Sequence, residues 1–421
     1  MSQPWTSQRP NHAQSASRPG QGLQQRPSTS AGRSSSSSNT PRALRLWRAV
    51  TVLTCLASTA FVGFTIGTSH DALGTIESSA NQIVNVERAK AQFVQAEAQL
   101  ANGLATTPDK EITYKDALAE ANGSLASAYR DTSVYDSDDP LVSAVGAAGK
   151  YIAQLGETHM QYLIDAEQGK SALRKADQVL HQDVIQPLDG SIDLHQKRVD
   201  EAKSQDRWLS ALLLVPLLVL LLAGFDYARR TRRLLNIGLL VAVAAMGFAI
   251  YQVEETLRAT EEIADSSRNI SQRETLDSAR AVTHLAEAHR AQGLALAGAL
   301  PAEQGERQFN EHVDVLRSHV EKLHDADYQK AVDSYVTSHQ QLQDGLAGPD
   351  RAAVVSANEK AAAALFERAR DVSNDDVAKI NEALNQQKAT IVSTGVASIA
   401  LSLLAAVAAG FGLSQPLRRY R

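Results

Sequence analysis

The chain has 421 residues, a formal net charge of −5 and 43% hydrophobic residues, averages that suit a soluble protein of two or three domains. The apolar residues are concentrated, however, in four charge-free runs, at 49–68, 208–225, 234–251 and 389–413. Because about 20 apolar residues in a helix span a bilayer, four transmembrane helices are predicted, which argues against a soluble enzyme. The single cysteine, Cys55, excludes an intrachain disulfide and a paired-cysteine zinc or redox site.

The segment before the first run is basic and of low complexity. The first 70 residues contain neither Asp nor Glu and are rich in Ser, Gln, Pro and Arg. Such a composition cannot form a core, so a disordered tail is predicted over 1–48. Run 49–68 could be part of a cleaved signal peptide or an uncleaved signal anchor. Its long polar leader, without a convincing small-x-small cleavage site, favours the anchor.

Arginines mark one side of the predicted membrane. Fourteen lie in the tail, in the turn at 226–233 and in the terminal segment 414–421, where Asp226 is the one acidic residue. By the positive-inside rule these segments are cytoplasmic, which predicts a multi-pass protein of the plasma membrane with both termini cytoplasmic. The turn carries the candidate contacts for anionic lipids or a cytoplasmic partner, Arg229, Arg230, Arg232 and Arg233.

The two segments on the outer side have nearly equal length and share a sequence echo. They cover 69–206 and 252–388, and residues 96–105 (AEAQLANGLA) agree with residues 286–295 (AEAHRAQGLA) at seven of ten positions. Self-similarity of this kind predicts an internal duplication. Whether the two outer segments pack against each other is left open by the sequence.

Both outer segments have the pattern of amphipathic helices. Apolar residues recur at steps of three and four from Leu73 to Gly103, whereas strand-like alternation is absent. Asp139-Pro140 predicts a helix start, and Pro187 and Gly190 predict an interruption. The predicted fold is therefore all-α, with four transmembrane helices and two extracytoplasmic antiparallel helical bundles.

One long stretch predicts a helix that crosses the membrane boundary. Segment 350–394 contains neither Gly nor Pro, and its apolar residues Ile380, Leu384 and Ile391 continue into the last apolar run. Residues 75–102 form a similar unbroken stretch after the first run. Rigid helices of this kind can carry a displacement from an outer domain to the cytoplasm, or can simply be the shortest connection.

The predicted spans contain no charged residue, which disfavours an ion or solute pathway. Small residues instead recur at every fourth position in the first and last spans. Such faces allow close packing of the four spans or form the seam of a homodimer. The predicted packing positions are Gly63, Gly67, Ser398, Ser402, Ala406 and Gly410.

Motifs for catalysis or metal binding are missing. The sequence has no P-loop, GxSxG, kinase or Rossmann signature, and its cytoplasmic segments are too short for an enzyme. His312 and His319 share a helix face, but no acidic residue completes an HExxH arrangement, so they are interpreted as solvated side chains. We expect no catalytic residue, metal, cofactor or nucleic-acid partner.

Each half, with a membrane helix before and after an outer helical bundle, resembles the sensor part of bacterial chemoreceptors and sensor kinases. No HAMP-like linker, methylation hairpin or kinase follows. The duplicated layout behind an Arg-rich Ser/Pro tail resembles the actinobacterial four-span proteins that couple an extracytoplasmic amino-acid-binding lipoprotein to Ser/Thr protein kinase G. That resemblance implies an aspartate- or glutamate-binding lipoprotein outside and a soluble Ser/Thr kinase inside, and it transfers no binding residue.

The functional hypothesis is a transmembrane signalling adaptor. Its outer bundles would bind a solute-binding lipoprotein, and helix displacement would present the cytoplasmic arginines differently to a partner. The rival hypothesis is a structural protein that scaffolds the cell envelope or the division machinery without switching.

Overall fold

The computed structural model describes residues 40–106, 114–131, 139–204, 212, 214–231, 236–266, 272–348 and 351–417. All regular secondary structure in these ranges is helical, which confirms the all-α class. Residues 1–39, most of the predicted disordered tail, lie outside the described residues.

Eleven α-helices and one π-helical segment lie in the described ranges. They are α1 (Thr40–Thr106), α2 (Tyr114–Asp131), α3 (Pro140–Ile164), α4 (Ala166–Val179), the π segment (Leu180–Ile185), α5 (Gln186–Ser204), α6 (Leu214–Thr231), α7 (Ile237–Ser266), α8 (Gln272–Leu296), α9 (Ala302–Lys322), α10 (Ala326–Gly345) and α11 (Arg351–Leu417).

The first helix begins earlier than the sequence pattern suggested. Helix α1 starts at Thr40, so residues 40–48 are helical, which corrects the predicted boundary of the disordered tail. Pro41 is tolerated in the first turn of a helix, and the following Arg, Ala and Leu residues are strong helix formers.

Among the described residues, three helices rather than the predicted four are long and apolar enough to span a membrane. The qualifying stretches are Arg45–Thr106 in α1, Ile237–Arg258 in α7 and Arg351–Ser414 in α11. The predicted second span, 208–225, corresponds to α6, whose described part has 18 residues and ends in the polar sequence from Asp226 to Thr231. Residues 208–211 and 213 of that span lie outside the described residues.

The outer part of each half folds in the same up-and-down order. In the first half, α1 runs away from the apolar segments and α2 returns beside it, with Gln82 bonded to the Ala128 carbonyl and Gln92 to Glu120. Helix α3 then runs away from the apolar segments again, and α4, the π segment and α5 return toward them. Helices α8, α9, α10 and α11 repeat the order in the second half.

The two outer segments share one hydrophobic core. Buried side chains of α1 to α5, among them Phe93 and Tyr151, are continuous with buried side chains of α8 to α11, among them Phe309 and Tyr335. The question left open by the sequence is thereby answered, because both segments pack into a single bundle.

Helices α1 and α11, each of 67 residues, connect the bundle to the apolar segments without a break. At about 1.5 Å per residue, each is roughly 100 Å long. Near the boundary, Leu73 and Ile76 of α1 pack with Ile380 and Leu384 of α11 in a separate apolar cluster. The predicted continuous rods are therefore present.

Two local predictions had different outcomes. Asp139 caps α3 by accepting a hydrogen bond from the Leu141 amide, with Pro140 at the first helical position, as the sequence indicated. The interruption predicted at Pro187 is wrong, because α5 continues through it. The π segment immediately before α5 gives the wider turn that accommodates a proline without breaking the helix.

Close backbone contacts join the apolar helices. The side-chain amide of Asn236 donates to the Gly412 carbonyl at 2.9 Å. A Cβ atom on Gly238 would lie 2.6 Å from the Gly412 Cα. These contacts hold the first turn of α7 against the end of α11.

The predicted small-residue positions lie partly in this packing. Ser398 and Ser402 are fully buried and Ala406 nearly so. Gly63 faces Ile399 and Gly410 faces Val52 at ordinary contact distance, whereas a Cβ atom on Gly67 would meet nothing within 4 Å. Gly63 and Gly410 thus lie at the α1–α11 contact, whereas a side chain added at Gly67 would have open space around its Cβ atom.

We expect Gly238→Ala to destabilise the protein by about 1–3 kcal/mol, because α7 and α11 must separate to accept the methyl group. Gly67→Ala is the matched control, and it should be neutral or stabilising by up to about 1 kcal/mol because alanine favours the helix. Thermal unfolding of both variants in one detergent measures the difference. A Gly238→Ala variant as stable as the Gly67→Ala variant would contradict this packing.

Candidate functional site

The repeated decapeptides of α1 and α8 lie side by side at the centre of the bundle. The pairing of Thr283 with Glu87 and of Gly293 with Ala98 shows that the two helices run in the same direction. A Cβ atom on Gly293 would lie 3.0 Å from the Ala98 carbonyl oxygen, so glycine allows the backbones to approach. The close approach brings the two halves of the chain into direct contact.

A buried ionic cluster links α8 to the descending arm of the first half. Arg290 donates through Nε to Glu287 at 2.8 Å and through a terminal nitrogen to Asp177 of α4. His181 of the π segment lies 3.4 Å from both Asp177 and Glu287. The Arg290 and Glu287 side chains are 7% and 9% exposed, so the pair is largely removed from water.

The cluster shifts the pKa values of its members in opposite directions. Burial alone would raise the pKa of Glu287, but the Arg290 charge and His181 outweigh it, and the pKa lies well below its ordinary value. Burial alone would lower the pKa of His181, but its bonds to Asp177 and Glu287 raise the pKa to about 10. At neutral pH Arg290 and His181 are therefore cations and Asp177 and Glu287 are anions, so that each cation contacts both anions.

Glu97 of α1, the repeat equivalent of Glu287, is in the opposite state. Its side chain is fully buried, and neither carboxyl oxygen has a hydrogen-bond partner among the described residues. Burial, with the Asp177 charge adding to it, raises the pKa of Glu97 well above its ordinary value, which favours the neutral carboxyl. The difference follows from the residue three positions further along each helix. This residue is Arg290 after Glu287 but Leu100 after Glu97.

A second polar network adjoins the ionic cluster. His289 is bonded to Asn102 of α1 and to Tyr335 of α10, at 3.1 and 3.3 Å. His339 is bonded to Gln292 and Glu306, and its ring stacks on Phe309 with a centroid separation of 3.5 Å. These contacts fix α1, α8, α9 and α10 relative to one another.

The interpretation of His312 and His319 as solvated side chains is wrong. His312 lies 3.2 Å from His284, and His319 bonds to Asp277 at 2.6 Å with its ring stacked on His284. The three rings are half-buried between α8 and α9, because the antiparallel pairing of these helices turns their histidine faces toward each other. Burial, with the neighbouring charges adding to it, lowers the pKa of His284 to about 4, so it is neutral at pH 7.

No group of three or more His, Cys, Asp or Glu side chains in the described ranges could hold a metal ion. The buried charged groups hold helices together through the contacts described above.

The predicted cytoplasmic arginines are only partly described. Arg229 is exposed at the end of α6, whereas the Arg230 side chain, Arg232 and Arg233 lie outside the described residues. Sequence reasoning missed the ionic cluster itself, because a charge on a helix usually indicates a solvated face. The available signal was the replacement of Leu100 by Arg290, one of three differences between the repeated decapeptides.

No protein-family model matches the chain, and no curated protein or solved structure matches it. The function is therefore argued from the fold and from the buried cluster.

We expect Glu97→Gln to raise stability increasingly as pH rises above about 4.5. In the wild type the unfolded carboxyl releases its proton near that pH while the folded one keeps it, so folding stability falls as pH rises. Between the pKa of the unfolded carboxyl and that of the folded one, each pH unit lowers the free energy of unfolding by about 1.4 kcal/mol. The amide of the variant removes this loss because it carries no charge.

Thermal midpoints from pH 4 to 9 measure this effect, with the exposed Glu157→Gln as the control. A constant difference between wild type and Glu97→Gln across the range would show that Glu97 does not hold a proton in the fold.

Proposed function

We propose that the protein is a transmembrane signalling adaptor with four membrane spans and an internally duplicated outer bundle. The outer bundle receives an extracytoplasmic partner, and the long helices transmit its binding to a cytoplasmic partner. By resemblance, the partners are a solute-binding lipoprotein for aspartate or glutamate and a soluble Ser/Thr kinase. No catalytic step is assigned to this chain.

The observation that carries the proposal is the pair of unbroken helices, α1 and α11. They contact each other in the apolar segment, where a Cβ atom on Gly395 would lie 2.9 Å from Ile66, and in the bundle, where Lys388 pairs with Glu77 and Arg88 bonds to Asn374. A helix without a hinge moves as one body, so displacement in the bundle reaches the opposite end.

The buried polar contacts support a bundle with discrete arrangements. Sliding of α8 past α4 and the π segment must break the bond between Arg290 and Asp177 and the contact of His181 with Glu287, which leaves buried charges unpaired. Intermediate positions are therefore costly, and the bundle is expected to move between defined states rather than to deform continuously. A partner shifts such an equilibrium by its difference in affinity for the two states, commonly about 1–3 kcal/mol.

Anionic lipids are proposed to contact the cytoplasmic end of the same helices. A groove of 680 Å³ between α1 and α11 is lined by apolar residues such as Leu56 and Phe411, with Arg45 and Arg48 at one end. Apolar walls beside cationic groups suit an acyl chain and its phosphate. A homodimer that uses Gly67 is the alternative occupant of this membrane region.

Locking α1 to α11 is expected to abolish signalling while leaving partner capture on the outer side intact. The variant is Ile66→Cys with Gly395→Cys in a Cys55→Ala background, because these positions are in contact. The tagged protein is captured from its own cells, oxidised or reduced, with and without added aspartate or glutamate, and its partners are quantified by mass spectrometry.

The reduced double variant and each single cysteine variant are the controls. Recovery of an inner partner that depends on the amino acid in the reduced protein, and not in the oxidised one, supports the relay. Equal recovery in both states, or recovery of division and wall-synthesis proteins alone, would favour the non-switching scaffold.

Replacing Arg229, Arg230, Arg232 and Arg233 by alanine is expected to reduce capture of the cytoplasmic partner at least tenfold, because the docking charge is removed. Insertion is checked by cysteine accessibility, since these arginines also orient the helices. A correctly inserted variant that retains full inner-partner binding would exclude this turn as the docking surface.

A further inference from the structure

A small cavity lies where the two halves of the bundle meet. Its volume is 150 Å³, enough for several water molecules or one small organic ion. It is lined by α1 and α2 from the first half and by α8 and α11 from the second. It therefore touches both of the helices that continue into the apolar segments.

The cavity wall contains two arginines on different long helices. Arg370 of α11 is neutralised by Glu120 of α2, with nitrogen–oxygen distances of 2.7 and 3.4 Å. Arg88 of α1 donates to the neutral oxygens of Asn374 and Ser373, at 2.6 and 3.5 Å. Within the described residues no carboxylate pairs with Arg88, so the wall has a net charge of +1.

The position of Arg88 is unfavourable for its positive charge. Its side chain is half-buried, and burial, together with the Arg370 charge, lowers the pKa of Arg88 from its ordinary value. A cation without a paired anion is unfavourable in such a position. An anion between the two guanidinium groups would relieve the repulsion and provide acceptors for the N–H groups that Arg88 leaves free.

The rest of the lining restricts the kind of anion. Phe366 is 6% exposed and forms an apolar surface together with Val282. Glu120 would repel a second negative charge at its end of the cavity. A single carboxylate joined to a short apolar group suits these surfaces better than inorganic phosphate, which has no apolar part.

We propose that this cavity binds a small organic monocarboxylate, with the carboxylate between Arg88 and Arg370 and the apolar part against Phe366 and Val282. Binding would join α1 to α11 through a shared anion. The consequence for signalling rests on the proposed relay, whereas binding itself does not depend on it.

The test is calorimetric titration of the full chain in detergent with sodium benzoate, and with benzamide as its uncharged analogue. We expect saturable benzoate binding, at least tenfold weaker binding of benzamide, and at least tenfold weaker benzoate binding in Arg88→Gln. Arg317→Gln is the control, because Arg317 is, like Arg370, an ion-paired, half-exposed arginine but lies on α9 beside Asp333.

Acetate, butyrate and inorganic phosphate are titrated in parallel. Binding of phosphate in preference to every carboxylate, equal binding of benzoate and benzamide, or no carboxylate binding at tens of millimolar would each overturn the proposal. Should Arg88→Gln fail to fold, Arg370→Gln replaces it and is expected to weaken binding similarly, because Glu120 then neutralises the cavity.

The Ile66→Cys, Gly395→Cys variant distinguishes failure of the carboxylate site from failure of the relay. Benzoate is expected to change the rate at which this pair oxidises, and Arg88→Gln should remove the change. Arg88-dependent binding without any change in that rate would retain the site and contradict transmission along the helices.

Discussion

Packing of α1 against α8 and α11 is the interaction on which the rest of the structure depends. Helix α1 supplies the central row of the shared core, with Val86, Ala89, Phe93 and Leu100 fully buried. Each outer segment alone would leave the α1–α8 face exposed to water. Joining the two segments removes that face from water, at a favourable free energy of about 25 cal/mol per Å² of apolar surface. One bundle is therefore more stable than two separate ones.

The same packing gives the two repeats different chemistry. Glu97 and Glu287 occupy equivalent positions, but their helices are neighbours, so both carboxyls are buried in one interior. One arginine is available for them, and Arg290 pairs with Glu287 of its own helix. A second ionised carboxylate without a cation would be costly there, which raises the pKa of Glu97 and favours its neutral form. Pairing of the repeats thus buries two equivalent carboxyls in different electrostatic surroundings at the contact between the halves.

Parts of this fold and site could be predicted from the sequence because their signals are local. The steps of three and four from Leu73 to Leu100 give a buried helix face, and Asp139-Pro140 gives a helix start. The predicted second span, 208–225, is described only in part, because residues 208–211 and 213 lie outside the described residues and α6 begins at Leu214. His312 and His319 were misread, since a helix pattern alone does not show which polar face is covered by a neighbouring helix.

The sequence by itself determined the helical class, the apolar segments and the uneven charge, because each depends on composition and on spacing within a few turns. Tertiary structure decided that two outer segments form one bundle, that burial raises the pKa of Glu97 and that a cavity with two arginines opens between α1 and α11. These features depend on pairs such as Thr283 with Glu87 and Arg88 with Asn374, which are 196 and 286 residues apart. No local pattern specifies such contacts, because they arise only when the long helices pack side by side.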